Sequence, residues 1–178
     1  MTATMIELTP TQQRFRSAMA SLSAGVNVVT TDGPAGRAGI TVSAVCSVTD
    51  APPTMLVCIN RSSSSHGVFE ANRRLCINVL GGRHEDVALL FAGATGVSGA
   101  ERFAAGEWDY ASADVPVLVG SAASIVGRVS EISGQGSHSV MFVEVERLIL
   151  NSDAGGLVYF QRQFHPISTP GGSPTLQP

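Results

Sequence analysis

The sequence predicts a mainly β protein built from antiparallel strands, with few helices. Short runs rich in β-branched residues recur along the chain, and Val26 to Thr31 and Leu75 to Leu80 are the clearest. Residues 141–146 alternate apolar and other side chains with a period of two, as in a strand with one buried face. Nineteen glycines and nine prolines supply frequent turns between these runs. Together these features favour an antiparallel barrel, although a sandwich fits the same pattern.

The first predicted element is a helix that begins at Thr9-Pro10, a capping hydroxyl followed by proline at the first helical position. Ser23-Ala24-Gly25 ends this helix. Its apolar residues recur at helical spacing and form one face, made of Phe15, Ala18, Met19 and Leu22. Two shorter helices are predicted further along, from Ser65 to Asn72 and from His84 to Phe91.

The strands follow in order, separated by turns at Asp32 to Gly36 and at Gly134 to Gly136. We expect one domain over residues 1–167. Residues 168–178, STPGGSPTLQP, lack core-forming side chains and are predicted to be a disordered tail. The predicted strands are Val26 to Thr31, Ala38 to Ser43, Met55 to Ile59, Leu75 to Leu80, Ser121 to Ile132, 141 to 146 and Leu157 to Phe160.

Residues 39–60, GITVSAVCSVTDAPPTMLVCIN, form the stretch around which the rest of the chain is organised. Two apolar runs flank small and hydroxylated residues and the breaker Asp50-Ala51-Pro52-Pro53, and a serine-rich segment follows Asn60. Small side chains would let a planar ligand approach backbone N–H groups, and hydroxyls with an arginine can hold a phosphate. On the residues alone, an ordinary solvated loop is favoured over such a cradle.

Charge and hydropathy exclude several classes of function. A formal net charge of −3 argues against a nucleic-acid binder, which would present a basic face. The chain lacks an apolar run long enough to cross a membrane, and its N-terminus lacks the order of a signal peptide, so we expect a cytoplasmic protein. Only 14% of the residues are charged, which predicts that a partner subunit covers part of the surface. We therefore expect a homodimer.

The three cysteines do not have the spacing of a metal site. Cys46, Cys58 and Cys76 lie far apart, without the paired spacing that zinc sites use. Cys58 and Cys76 fall in apolar runs and are predicted to be buried thiols, whereas Cys46 lies in the small-residue stretch, where it could pack near a ligand. We expect no metal.

Several segments carry a resemblance to a known family. In order, the chain contains FRSAMASLSAGVNVVTT, GITVSAVCSVTDAPPTMLVCIN, LCINVL, FAG, ERF, GSHSVMFVEV and LVYFQRQFHP. This series, from about Phe15 to Pro166, resembles the short-chain flavin reductases, the reductase components of two-component flavin monooxygenases. The resemblance implies an FMN-binding split barrel, and a homodimer with the flavin near the subunit interface.

The same resemblance implies an NAD(P)H:flavin oxidoreductase. It would transfer hydride to FAD or FMN from NADH, with NADPH less favoured, and supply the reduced flavin by diffusion to a separate aromatic monooxygenase. The chemistry belongs to the two cofactors, so no general acid or base is required. Two alternatives share the fold: an electron-transfer protein that retains its flavin, and a haem or flavin binder without reductase activity.

Carried over residue by residue, the resemblance also implies a site. His138 would contact the nicotinamide nucleotide and is the residue expected to assist catalysis. Arg102 fits a phosphate contact and an ordinary surface arginine equally well, and Phe91 fits the core better than a stacking position. The ring contacts would be Thr41, Val42, Ser43, Ala44, Cys46, Ser47 and Val48. The ribityl and phosphate contacts would be Asn60, Arg61, Ser62, Ser63 and Ser64. Further positions near the two nucleotides are Phe91, Ala92, Gly93, Arg102, Tyr159 and His165.

Overall fold

A computed structural model describes residues 8–169. Within that range the chain forms twelve strands, three α-helices and one 3₁₀ helix. The α-helices are α1 (Pro10–Ala20), α2 (His66–Asn72) and α3 (Glu85–Phe91), and the 3₁₀ helix is Gly99–Ala104. The strands are β1 (Ala24–Gly25), β2 (Asn27–Thr31), β3 (Ala38–Val42), β4 (Val45–Asp50), β5 (Pro53–Asn60), β6 (Arg74–Val79), β7 (Trp108–Asp109), β8 (Val117–Leu118), β9 (Ala123–Gln135), β10 (His138–Leu150), β11 (Gly156–Phe160) and β12 (Gln163–Ile167).

Seven strands form an antiparallel sheet that closes on itself. Their order is β3-β2-β6-β9-β10-β5-β4, so β3 and β4 are the two edges. Only Ser43 and Ala44 join these edges along the chain. Three consecutive Cα–Cα steps span at most about 11 Å, so the two edges must lie together. The sheet is therefore a barrel rather than a sandwich, and the predicted mainly β fold is confirmed.

The barrel interior holds the largest of the three apolar clusters in the described residues. Val57 and Ile59 on β5 face inward beside Met141 and Val143 on β10, and Phe69 of α2 packs against them. Beside this cluster, the fully buried Asn78 has all its polar atoms satisfied. Its amide nitrogen donates to the Val28 carbonyl oxygen at 3.0 Å, and its side-chain oxygen accepts from the Leu118 backbone N–H at 2.8 Å. A satisfied polar group of this kind fixes the packing of the strands around it.

The three predicted helices are present, but they are covered to different degrees. α1 begins at Thr9 with a capping box, in which the Thr9 hydroxyl accepts from the Gln12 backbone N–H. No residue of α1 is buried, and the side chains of Phe15 and Met19 are 63% and 44% exposed. In contrast, α3 buries Ala88, Leu90 and Phe91. Within the described residues, no helix is long and apolar enough to cross a membrane.

Three predictions of local structure were wrong or incomplete. Residues 45–50 form strand β4, so the expected loop over the small-residue stretch shrinks to Ser43-Ala44. Strand β9 extends to Gln135, which leaves Gly136-Ser137 as the turn before β10. Strand β12 was not predicted. The predicted disordered tail lies outside the described residues except for Ser168 and Thr169.

Candidate functional site

A cleft of about 600 Å³ opens beside the Ser43-Ala44 connection. Its walls come from β3, α3 and the β11–β12 hairpin. The Thr41 hydroxyl donates to the Ala88 carbonyl oxygen at 2.7 Å and so fixes β3 against α3. A cleft of this size is in the range that binds small molecules. The residues that line this first cleft are Val26, Thr41, Ser43, Glu85, Leu89, Ala92, Tyr159, Arg162, Gln163 and Phe164.

A second cleft, of about 590 Å³, lies on the α1 side of the same connection. It shares Ser43, Tyr159 and Arg162 with the first cleft, so the two spaces adjoin across these residues. Most of the surface of this second cleft is apolar, because exposed apolar side chains of α1, including Phe15 and Met19, line it. The lining residues are Phe15, Arg16, Met19, Ala20, Leu22, Ala24, Ser43, Ala44, His138, Tyr159 and Arg162.

The serine-rich loop after β5 is organised by Asn60. The Asn60 side-chain oxygen accepts from the backbone N–H and the hydroxyl of Ser62, both at 2.9 Å, which is an Asx turn. The Ser63 backbone N–H donates to the Asn60 carbonyl oxygen at 3.0 Å. Arg61 extends along the β9–β10 hairpin, where a Cβ on Gly134 would lie 2.2 Å from its Nη2 atom. The exposed Ser64 completes the loop before α2.

Strand pairing brings His138 to this loop. His138 and Asn60 are register partners across β10 and β5, and the Ser137 hydroxyl lies 2.9 Å from His138 Nδ1. His138 also lines the second cleft together with Ser43 and Ala44. Residues that are far apart in the sequence therefore meet at one end of the barrel. The role of these residues in binding stays a prediction.

Several predicted contacts lie elsewhere. Phe91 is 1% exposed and packs edge-to-face against Phe103 and Trp108, with ring centroids 5.1 and 5.5 Å away, so its side chain has no free face for a ligand ring. Arg102 donates to the carbonyl oxygens of Val97 and Phe91 at 2.9 and 3.3 Å. Its guanidinium thus holds the loop after α3. This structural role was not among the two that the sequence analysis considered, a phosphate contact and an ordinary surface arginine.

The remaining predicted residues do not line either cleft. Val42 packs against the barrel core, Gly93 adjoins Ala92 with a φ of +82°, and His165 is exposed with Nε2 3.2 Å from the Phe160 carbonyl oxygen. Cys46, Ser47 and Val48 are exposed on β4 rather than in a loop. Their expected ring contact would need the flavin, or another molecule, to extend over that edge strand.

Sequence reasoning missed the cleft residues on α3 and on the β11–β12 hairpin. Glu85, Leu89, Arg162 and Phe164 were not candidates. Gln161 and Arg162 have φ values of +48° and +63°, the pattern of a two-residue type I′ turn. The usual signal for that turn is Asn-Gly, which the sequence lacks here.

The thiols and His84 show how burial acts around the site. Burial, followed by the nearby Cys46, raises the pKa of Cys58, and burial raises the pKa of Cys76 to about 12. Both thiols are therefore protonated and unreactive at neutral pH. Burial, followed by the Arg83 cation, lowers the pKa of His84, which is neutral at the start of α3. The described residues contain no cluster of side chains suited to a metal ion.

The two clefts suit a pair of flat, partly polar molecules. Small residues at Ser43 and Ala44 leave the backbone accessible, and the Tyr159 and Phe164 rings, with centroids 5.0 Å apart, supply an apolar wall. His138 and the Asn60 loop supply hydrogen-bonding groups nearby. Residues 8–169 therefore offer binding surfaces at this end of the barrel, and their chemistry is compatible with a flavin and a nicotinamide nucleotide.

Comparison with known proteins decides the family. A family model for the flavin reductase like domain matches residues 19–168. The chain belongs to this family. The predicted family and its enzyme class, a flavin oxidoreductase, are thereby confirmed.

Individual relatives agree with this assignment. The 4-hydroxyphenylacetate 3-monooxygenase reductase component of Pseudomonas aeruginosa is 53% identical over 166 residues, which cover 93% of this chain and 98% of that protein. The FMN reductase (NADH) RutF of Pantoea ananatis is 48% identical over 156 residues, covering 88% of this chain and 81% of that protein. The name of the Pantoea ananatis protein states FMN and NADH, which agrees with the predicted flavin and NADH.

Solved structures share the fold. A crystal structure of an inferred flavin reductase from Haemophilus somnus 129PT superposes with a TM-score of 0.82 at 33% identity, covering 91% of this chain and all of that one. The NADH:FAD oxidoreductase SgcE6 of Streptomyces globisporus superposes with a TM-score of 0.81 at 23% identity, covering 92% of this chain and 98% of that one. The split-barrel fold is therefore the fold of this chain.

Proposed function

We propose that this protein transfers hydride from NADH to a flavin and supplies the reduced flavin to a separate oxygenase. The observation that carries the proposal is the meeting of Ser43, Ala44 and His138 around adjoining clefts in a chain of the flavin reductase family. The relatives include an FMN reductase and a reductase component of a monooxygenase. Both FAD and FMN stay open as the flavin.

Hydride passes from C4 of the nicotinamide to N5 of the flavin, and the two cofactors supply this chemistry. The protein's work is to stack the rings at roughly 3.5 Å and to exclude water. In the proposal, the backbone at Ser43 and Ala44 would contact the flavin ring, and Tyr159 would form part of the apolar wall of the cleft that holds it. The Asn60–Ser64 loop and His138 provide hydrogen bonds to the polar parts of the two nucleotides.

The proposal includes a homodimer, because two apolar surfaces of the described chain lack a cover. Phe15 and Met19 on α1, and Leu22 just after it, are between 44% and 63% exposed. The outer face of β5 and β10 carries Leu56, Cys58, Val140 and Phe142, which are only half-buried. A second copy of the chain would bury both surfaces. Removing apolar area from water contributes about 25 cal/mol per Å² to the free energy of association.

A cytoplasmic location remains a prediction, as does the aromatic nature of the oxygenase substrate. An NADH-dependent reductase works where NADH and free flavin are available, which supports the first. The aromatic substrate is supported by relatives named as 4-hydroxyphenylacetate 3-monooxygenase reductase components, among them the Pseudomonas aeruginosa protein.

A direct test uses the purified protein. We expect a preparation with little bound flavin, which oxidises NADH only when FAD or FMN is added, followed by absorbance at 340 nm. NADH consumption without added flavin, by a protein that stays yellow through gel filtration, would instead support the flavin-retaining alternative. A haem absorbance band and no NADH consumption would support the third interpretation.

The position of the flavin is tested by two matched substitutions. Ser43→Trp places an indole at the junction of the two clefts, so we expect flavin-dependent NADH oxidation to fall at least about a hundredfold. Ser47→Trp places the same group on β4, outside both clefts, so the loss should be much smaller. Circular dichroism checks the fold of each variant. The opposite order of losses would mean that the ring lies along β4.

A further inference from the structure

Arg162 occupies an unusual position between the two clefts. Its side chain lines both of them, and only Ser43 and Tyr159 do the same. The backbone N–H of the preceding residue, Gln161, donates to the Ala20 carbonyl oxygen at 2.7 Å, so the hairpin turn is fixed to the end of α1. The turn that carries Arg162 is therefore anchored at Gln161.

The charges around the second cleft favour an anion. Arg16, His138 and Arg162 line it, and none of the described residues that line it carries a carboxylate. The first cleft contains Glu85 as well as Arg162, so the basic character is concentrated on the α1 side. The four ion pairs formed among residues 8–169 do not include Arg16 or Arg162. Both guanidinium groups are thus available to a bound anion.

The backbone at Arg162 gives a second, independent observation. Its φ of +63° lies in the left-handed region, which glycine or asparagine adopts at less cost than arginine. Residues held in such conformations often mark functional positions, because the function of the side chain offsets the free-energy cost of the strained backbone. An arginine side chain at this turn is therefore unexplained by the turn itself.

We propose that Arg162 binds a phosphoryl group of a nucleotide substrate, and that Arg16 adds a second positive charge that contributes less to binding. The inference rests on the proposed function, because it names the group that anchors a substrate of that reaction. Arginine suits this role because its planar fork donates two hydrogen bonds to one phosphate. The phosphoryl group could belong to the flavin nucleotide or to NADH, and the test separates the two.

The test compares substrates with and without phosphate in Arg162→Gly. Glycine removes the cation and tolerates the positive φ. We expect kcat/KM to fall about tenfold for the substrate whose phosphate is bound, as for one lost charge-assisted hydrogen bond. A loss with NADH that disappears with reduced nicotinamide riboside assigns the group to the nicotinamide nucleotide. A loss with FMN that disappears with riboflavin assigns it to the flavin.

Two matched controls isolate the cation. Gln161→Gly relaxes the same turn but keeps Arg162, and Arg14→Ala removes one positive charge from an exposed position of α1 that lines neither cleft. Both should retain wild-type kinetics. Arg16→Ala should show a smaller loss than Arg162→Gly, and added salt should narrow the difference between Arg162→Gly and wild type.

Two kinetic outcomes in Arg162→Gly would overturn the proposal. Equal losses in Arg162→Gly with and without phosphate on the substrate, or no loss at all, would mean that Arg162 holds no phosphoryl group. If the glycine variant fails to fold by circular dichroism, Arg162→Asn repeats the measurement, because asparagine also tolerates this backbone. Failure of the proposed function would look different, since the wild-type protein would then oxidise NADH without added flavin or would not oxidise NADH at all.

Discussion

Helices α1 and α3 border the two clefts, and they differ in how the rest of the chain covers them. α3, with seven residues, buries Ala88, Leu90 and Phe91. α1, with eleven residues, buries none, and its Phe15 side chain is 63% exposed. The sequence gives both helices apolar side chains. The α3 wall of the first cleft is therefore packed within this chain, whereas the α1 wall of the second cleft is exposed in the described chain.

The largest expected effect is on the α3 side. Phe91→Ala removes the central ring of the Phe91, Phe103 and Trp108 cluster, whose centroids lie 5.0 to 5.5 Å apart. We expect the free energy of unfolding to fall by about 3–5 kcal/mol, the usual cost of a large aromatic cavity. Urea denaturation followed by circular dichroism measures this. A fall below about 1 kcal/mol would show that α3 is not the packed wall described above.

The matching change on the α1 side should affect association rather than folding. Phe15→Glu places a charge in the apolar face, and both copies of a symmetric dimer carry it. Burying a Phe side chain contributes about 1.5–3 kcal/mol, so two copies predict at least about a hundredfold weaker association. Gln13→Glu adds the same charge at an exposed polar position and is the control. Sedimentation should give twice the 18.4 kDa chain mass for wild type and control.

A wild-type protein that sediments as a single 18.4 kDa chain at micromolar concentration would contradict this expectation. The uncovered face of α1 would then need a different explanation. Arg162 would also border a cleft that stays open to water.

His138 lies on the α1 side, and its removal should have an intermediate effect. An imidazole that hydrogen-bonds the nicotinamide nucleotide contributes about 0.5–1.5 kcal/mol, so His138→Ala should lower kcat/KM for NADH roughly three- to tenfold. The KM for flavin should change little. His66→Ala, which removes the 2.9 Å contact to the Ser139 hydroxyl close by, serves as a neighbouring comparison. Unchanged NADH kinetics in a folded His138→Ala protein would assign His138 a structural role.

The smallest effect concerns pH and the start of α3. Burial and the Arg83 cation lower the pKa of His84 in the folded protein, so the unfolded chain binds a proton more readily. Stability should therefore be complete above the unfolded pKa of about 6.5 and should decline as the pH falls below it. His84→Gln should flatten this decline between pH 7 and pH 5 in urea titrations. An identical slope in the variant would mean that other groups cause it.

The sequence predicted the strands and helices where a local pattern determines them. Thr9-Pro10 begins α1 because capping is a local property, and β10 follows its period of two. Strand β4 was mistaken for a loop because its residues 46–50 are all exposed, so no alternation of buried and exposed side chains marks it. The β11–β12 hairpin was missed because Gln161 and Arg162 replace the usual turn residues.

The site was predicted only in part, because most of its contacts are not encoded by a local sequence pattern. Ser43, Ala44, Tyr159 and His138 do line the clefts, but only the resemblance to a family indicated them, since β5–β10 pairing brings His138 to Asn60 across 78 residues of sequence. The core position favoured for Phe91 agrees with its 1% exposure, although core and ligand-facing aromatic residues can have the same spacing. The role of Arg102 depends on the Val97 carbonyl oxygen, a loop contact that no sequence period encodes.

The central claim is that this protein releases reduced flavin, and one anaerobic measurement tests it most directly. The protein is mixed with NADH and excess FMN, and in parallel with FAD, and then passed through a membrane that retains the chain. We expect reduced flavin in the protein-free filtrate, able to reduce added cytochrome c, in amounts far above the molar amount of protein. Reduced flavin that stays with the retained protein, at no more than one per chain, would contradict the account.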